Sequence, residues 1–126
     1  MPAAKHILVC DDDDLLLELL RFRLSGKGYE VRTARDGKEA IESAKAKLPD
    51  AIVLDAMMPV IDGFEVLRQI REAPHMRHLP VIMLTARKGE NDIVAALKLG
   101  ASDYIAKPFI PEELTARLTR LLAKAA

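Results

Sequence analysis

Residues 7–14 read Ile-Leu-Val-Cys-Asp-Asp-Asp-Asp, and the break in the middle of that run decides how the chain is built. Ile7 to Cys10 are apolar without alternation, which marks a strand covered on both faces. A run of carboxylates cannot follow into the interior, so the strand ends with acid at its carboxyl edge. Beyond the acid, Leu16, Leu20 and Leu24 recur every fourth residue as the core stripe of a helix reaching about Ser25. Gly26 and Gly28 stop that helix, and Asp13 and Asp14 cap and open it.

The same unit repeats outward from there. Tyr29 to Ala34 predicts a second strand, Asp36-Gly37 turns the chain, and Ile41, Ala44 and Leu48 share one helical face before Pro49-Asp50. Ala51 to Leu54 form a third strand that stops at Asp55. A loop with Pro59 and Gly63 leads to a helix aligning Phe64, Leu67 and Ile70. Val81 to Leu84 stop at Thr85, and a fourth helix runs from about Glu90 to Leu99, closed by Gly100. Asp103 to Ala106 is a short last strand before Lys107-Pro108, and a helix from about Pro111 aligns Leu114, Leu118, Leu121 and Leu122. Strands alternating with helices predict an α/β, doubly wound (βα)5 domain. Its five-stranded parallel sheet has the flavodoxin-like order 2-1-3-4-5.

Length and composition set the outer bounds. With 126 residues the chain is expected to be a single domain spanning 1–126. Zero net charge gives no basic excess to attract nucleic acid, and no basic amphipathic segment suggests a membrane surface. A single cysteine, Cys10, excludes an internal disulfide and reads as a buried, inert thiol. The first residues lack the apolar stretch of a signal peptide, and no apolar run is long enough to cross a bilayer, so a cytoplasmic protein is expected. If the sequence is complete, any output lies on another protein.

In an open parallel sheet, ligands sit beyond the carboxyl ends of the strands at the switch in strand order. That rule gathers Asp11, Asp12 and Asp55, with Thr85 and Lys107 beside them. Clustered carboxylates repel one another, and a hard divalent cation relieves this; Mg²⁺ suits a few carboxylates plus waters and phosphate oxygens. Asp12 and Asp55 are the expected direct ligands, and Asp11 acts directly or through water. A carboxylate beside such a cation, a lysine and a hydroxyl is equipped for phosphoryl transfer. Asp55 would be the nucleophile, and Lys107, the Thr85 hydroxyl and the Ala86 N–H would meet the phosphoryl oxygens. Asp36 and Asp62 read as turn residues, and His75 and His78 as solvated loop residues rather than a metal site. Besides the core stripe, Leu15, Leu19 and Phe22 form a second apolar line on the first helix.

The chain resembles the receiver domains of two-component response regulators over essentially its whole length. The resemblance rests on Ile7-Leu8-Val9-Cys10-Asp11-Asp12-Asp13, Leu54-Asp55-Ala56-Met57-Met58-Pro59, Asp62-Gly63, Leu84-Thr85-Ala86, Gly100-Ala101-Ser102-Asp103-Tyr104 and Lys107-Pro108-Phe109. It implies a phosphohistidine donor on a histidine kinase or phosphotransfer protein, and Asp55 as acceptor. It implies Mg²⁺, with Mn²⁺ as a substitute, held by Asp12, Asp55 and the backbone carbonyl of Met57, with Asp11 assisting. It implies Thr85 and Tyr104 as a switch pair and a phosphoacceptor domain rather than an enzyme, with weak self-catalysed phosphorylation and dephosphorylation. Leu15, Leu19 and Phe22 would dock the donor's histidine-bearing helices.

Glu90 to Ala96 is similar to the chemotaxis-type single-domain regulators. In that setting Val94 and Leu97 would face the core, leaving Ile93 outside, where Ile93 and Tyr104 would line a face for an unidentified output protein. Ile93 stands where dimerising members usually carry a basic residue, while Asp103, Glu113 and Arg117 remain as charge partners. The expectation is therefore a monomer or a phosphorylation-induced homodimer. Met57 and Arg87, neither able to orient an attacking water readily, imply a longer-lived acyl phosphate than in the fast chemotaxis regulator. A phosphatase of the haloacid dehalogenase type also uses a nucleophilic Asp after a strand. It needs an acid two positions on, where this chain has Met57.

Overall fold

The computed structural model describes residues 4–86 and 90–125. Its elements alternate as β1 (His6–Cys10), α1 (Asp14–Gly26), β2 (Glu30–Ala34), α2 (Gly37–Ala46), β3 (Ala51–Asp55), α3 (Gly63–Glu72), β4 (Val81–Thr85), α4 (Glu90–Lys98), β5 (Asp103–Ala106) and α5 (Pro111–Ala125). The five strands are all parallel in the order β2-β1-β3-β4-β5, as the sequence predicts. Tyr29 stands just outside β2, and Asp55 and Thr85 are the last residues of their strands rather than the first beyond them.

Alternation along each strand divides the interior. Leu8, Cys10, Ile52, Leu54, Val81 and Met83 point into a core with the inner faces of α2, α3 and α4. Ile7, Val9, Ala51, Val53, Ile82 and Leu84 point into a second core under α1 and α5. Residues 7–10 of β1, 51–54 of β3 and 81–84 of β4 are thus apolar without a break because each position has a helical layer to meet.

Helix orientation differs from the sequence reading in three places. On α1 the buried residues are Leu17, Leu20 and Leu24, and Leu16 is only half-buried at the edge of the second core. α2 ends at Ala46, so Leu48 lies beyond the helix and is exposed. On α4 the innermost residue is Ala96, Ile93 is half-buried, and Val94 and Leu97 face outward. That corrects the expected placement of Ile93. A small alanine lets α4 lie close on the sheet, and the larger apolar residues three positions apart then fall on the outer side.

The helix starts follow the acid. Asp13, Asp36 and Asp62 are N-caps whose carboxylates accept backbone N–H bonds from Leu15 and Leu16, from Glu39 and from Glu65. Asp36 and Asp62, read as turn residues, therefore serve the helices that follow them. Among the described residues, no helix is long and apolar enough to cross a membrane.

Candidate functional site

Register brings the acidic groups together. Cys10 pairs with Leu54, so Asp11 leaves β1 beside Asp55 at the end of β3. Asp55 in turn lies opposite Leu84, and Thr85 opposite Ala106, one residue before Lys107. Three backbone bonds carry the sheet past its strand ends: Asp11 N–H to Ala34 O at 3.0 Å, Ala56 N–H to Leu84 O at 2.9 Å and Lys107 N–H to Thr85 O at 2.7 Å. The site is therefore an extension of the ladder, with its side chains aimed by strand geometry.

Carboxylate oxygens of Asp11, Asp12 and Asp55 lie within 4.8 Å of one another, the one such grouping of potential metal ligands among the described residues. Asp11 is wholly buried and Asp55 is 5% exposed, while Asp12 is exposed at the mouth. Lys107 Nζ lies 2.7 Å from Asp11 Oδ2 and 3.4 Å from Asp55 Oδ1. Asp11 Oδ1 also accepts the Asp13 N–H at 2.9 Å, and Asp55 Oδ1 accepts a longer bond, 3.4 Å, from the Met57 N–H. Lys107 so anchors on Asp11 and leans toward Asp55, leaving the Asp55 carboxylate the less satisfied of the two.

The electrostatics reflect that imbalance. Burial, then the neighbouring Asp11 charge, push the Asp55 carboxyl up to about 6, with Lys107 and the Met57 N–H acting against them. Burial works against the Lys107 charge, but its bond to Asp11 and the adjacent carboxylates outweigh it and hold the ammonium above its ordinary range. Burial, then Glu39 and Asp11, raise the Cys10 thiol, which keeps it the inert group expected. Two or three hard oxygen donors crowded around one point are the donor set a small divalent cation takes, so the residues fit such an ion.

The Thr85 side chain is fully buried, and its Oγ1 has no hydrogen-bond partner among the described residues. A buried hydroxyl without a partner costs about 1–3 kcal/mol, so this one calls for an explanation. Tyr104 is half-buried against the core under α2, α3 and α4, the face toward which Thr85 continues the alternation of β4. Ala86 is exposed after Thr85, and Met57 is exposed beside Asp55. Leu15, Leu19 and Phe22 are 83%, 41% and 75% exposed on α1. Leu16, Pro108 and Phe109 line a hollow between α1 and the Lys107 segment, beside Asp13 and Ala86. His75 and His78 are exposed, and Arg87 lies outside the described residues.

One contact was not legible as a site feature. A Cβ on Gly63 would lie 2.1 Å from the Asp55 carbonyl oxygen, so α3 can start against the end of β3 only with glycine there. The Asp62-Gly63 pair was visible as a turn, but nothing in it told what the glycine faces.

The family model for the response regulator receiver domain matches residues 7–119. The chain belongs to the response regulator receiver domain family. Over 120 residues this receiver domain is 47% identical to the alkaline phosphatase synthesis transcriptional regulatory protein PhoP of Bacillus subtilis, covering 95% of this chain and 49% of that protein. It spans about half the length of the curated relatives it matches. The receiver domain of Francisella response regulator 1452 superposes with a TM-score of 0.90 at 33% identity, covering 97% of this chain and 99% of that one. The receiver domain of the Pseudomonas aeruginosa sensor histidine kinase PA1611, described with a magnesium ion coordinated in its active-site cleft, gives 0.88 at 36% identity, covering 96% and 99%. Those TM-scores show that the two solved receiver domains have the same fold as this chain.

Proposed function

We propose that this receiver domain accepts a phosphoryl group on Asp55 from a phosphohistidine of a kinase or phosphotransfer protein, in a reaction that needs Mg²⁺ or Mn²⁺. The observation that carries this is the meeting of the Asp11, Asp12 and Asp55 carboxylates with Lys107 at one end of the sheet. Asp12, Asp55 and the Met57 carbonyl would hold the cation, with Asp11 assisting. The bound cation supplies charge neutralisation for the transferring oxygens. An Asp55 carboxylate oxygen forms a bond to phosphorus as the bond from phosphorus to the donor imidazole breaks, and the imidazole leaves with its electron pair and takes a proton. Lys107, already 3.4 Å from Asp55, steadies the new charge from the chain's own side. The Thr85 hydroxyl and the Ala86 N–H receive the phosphoryl oxygens, which would give Thr85 Oγ1 the partner it lacks.

Movement of Thr85 toward the phosphoryl group frees space for Tyr104 to turn further inward, changing the α4–β5–α5 face. Val94 and Leu97, exposed on α4, would be its apolar contribution to that face in place of the half-buried Ile93. Asp103 and Glu113 both engage Arg117 within the chain, so dimerisation through them would require these pairs to be exchanged. Leu15, Leu19 and Phe22 form the donor-docking line. A single receiver domain over 1–126 and a cytoplasmic setting complete the reading. The greater length of the curated relatives favours one variant of it, in which this domain is the input half of a longer regulator.

The test is phosphorylation by a small acyl phosphate, with Mg²⁺ or with chelator, followed by intact mass. One phosphoryl group on the parent with Mg²⁺, none with chelator and none on Asp55→Asn is expected. Equal labelling of Asp55→Asn would refute the assignment.

A further inference from the structure

Gly37 opens α2, yet it abuts the loop that follows Asp55. A Cβ there would lie 1.9 Å from the carbonyl oxygen of Ile61, 2.6 Å from its carbonyl carbon and 2.7 Å from its Cβ. Backbone freedom is not the reason for this glycine, because the positive-φ glycines among the described residues are Gly28 and Gly100. What Gly37 supplies is room. Its N–H donates to Pro59 O at 3.3 Å, and the Ile61 N–H donates to the same oxygen at 2.9 Å. The second bond closes a three-residue turn around Val60, whose φ is 72°. That is the rare and strained form of the turn, on a β-branched residue.

The loop is also held at its other end. The Gly63 N–H donates to Ala56 O at 2.9 Å, and Gly63 itself fits only for want of a Cβ against Asp55. Residues 56–62 are thus held at the base of the loop, where Gly63 meets Asp55 and Ala56, and at the strained turn, where Pro59 and Ile61 meet Gly37. Met57, the N–H of which reaches Asp55 Oδ1, lies within that span.

We infer that Gly37 is a positioning residue for the phosphoacceptor loop: the missing side chain at the start of α2 lets the loop seat with Met57 over Asp55. This rests on the proposed role of Met57 as a cation ligand. A side chain at position 37 forces one partner to yield. α2 is fixed by Ala40, Ile41 and Ala44 in the core, whereas Val60 is 74% exposed and strained, so the loop gives way. The displacement then reaches Met57, because Gly63 blocks it at the far end.

The experiment compares the full chain as parent, Gly37→Ala and Gly37→Ala/Val60→Gly, by Mg²⁺ calorimetry and by ¹⁵N amide spectra without metal. Gly37→Ala is expected to weaken Mg²⁺ binding about tenfold or more, the range for lost support of a metal ligand. It is also expected to shift the metal-free amides of 57–61 while those of β1 and β4 hold. Val60→Gly in that background should restore most of the affinity, since glycine lets the loop step aside at residue 60 without moving Met57. Unchanged affinity and unchanged 57–61 amides in Gly37→Ala overturn the inference. So does loss in both variants with shifts spread through both cores, or failure of both to fold, because Gly37 would then serve only stability. A parent that binds no Mg²⁺ sinks the reading of the site instead, and the metal-free amides still decide whether Gly37 positions the loop.

Discussion

Replacing Asp55 by Asn should make the metal-free protein more stable while removing the proposed phosphoacceptor. Asp55 is 5% exposed and its carboxyl is pushed up from an ordinary 3.8 to about 6 by burial and by Asp11. A raised acid binds its proton more tightly in the folded state, so the parent loses stability as pH rises from about 4 to about 6 and stays low above that. A shift of about 2 units, at 1.36 kcal/mol each, sets a ceiling near 3 kcal/mol. Asn keeps the Oδ1 that accepts the Met57 N–H and carries no charge. With chelator present near pH 7.5, Asp55→Asn should therefore be more stable by about 2–3 kcal/mol, or about 10 °C in Tm for a domain of this size. The gap should close toward pH 4, where the parent carboxyl is protonated in both states. Mg²⁺ should narrow it from the other side, by binding the folded parent. Urea or thermal unfolding across that pH range, with and without Mg²⁺, measures all of this. An Asn variant no more stable than the parent at pH 7.5 in chelator, or a gap that ignores pH, would refute the reasoning.

Lys107→Met should destabilise the metal-free chain by about 2–3 kcal/mol, since it leaves two buried carboxylates facing each other without the cation; denaturant unfolding with and without Mg²⁺ reads this, and Mg²⁺ should recover more for the variant than for the parent. Thr85→Val should stabilise the unphosphorylated domain by about 1 kcal/mol by removing an unpartnered buried hydroxyl. NMR of the same variant after treatment with acyl phosphate should find the Tyr104 resonances unmoved. Leu19→Ser/Phe22→Ser should change stability by less than about 0.5 kcal/mol per site because both side chains are exposed; transfer from a phosphohistidine donor should slow while labelling by a small acyl phosphate holds, and equal loss of both would remove the docking role. The acyl phosphate, followed by loss of labelled phosphate in Mg²⁺, should outlive that of the fast chemotaxis regulator, Met57 being neither acid nor amide.

The sheet was legible because residues 7–10, 51–54 and 81–84 are unbroken apolar runs that stop abruptly at Asp11, Asp55 and Thr85. Two-sided burial and a polar edge are local properties that sequence records directly. The meeting of Asp11, Asp12, Asp55 and Lys107 followed from strand order alone. Helix rotation was harder to read. α1 is apolar at 15, 16, 17, 19, 20, 22 and 24, so several stripes compete, and only packing on the sheet selects Leu17 over Leu16. In α4, Ile-Val-Ala-Ala-Leu offers no polar contrast, and the choice falls to the small Ala96, which no periodicity favours. The pairing of Lys107 with Asp11 more closely than with Asp55, and the backbone that Gly63 faces, depend on distances of under 4 Å across the fold, beyond the reach of sequence pattern.

The two cores have no residue in common. The sheet therefore works as a bulkhead: side chains in the layer shared by α1 and α5 can change without touching those packed beneath Tyr104. On the proposed reading, substitutions that suit α1 to a new donor would leave the Tyr104 side of the sheet as it is.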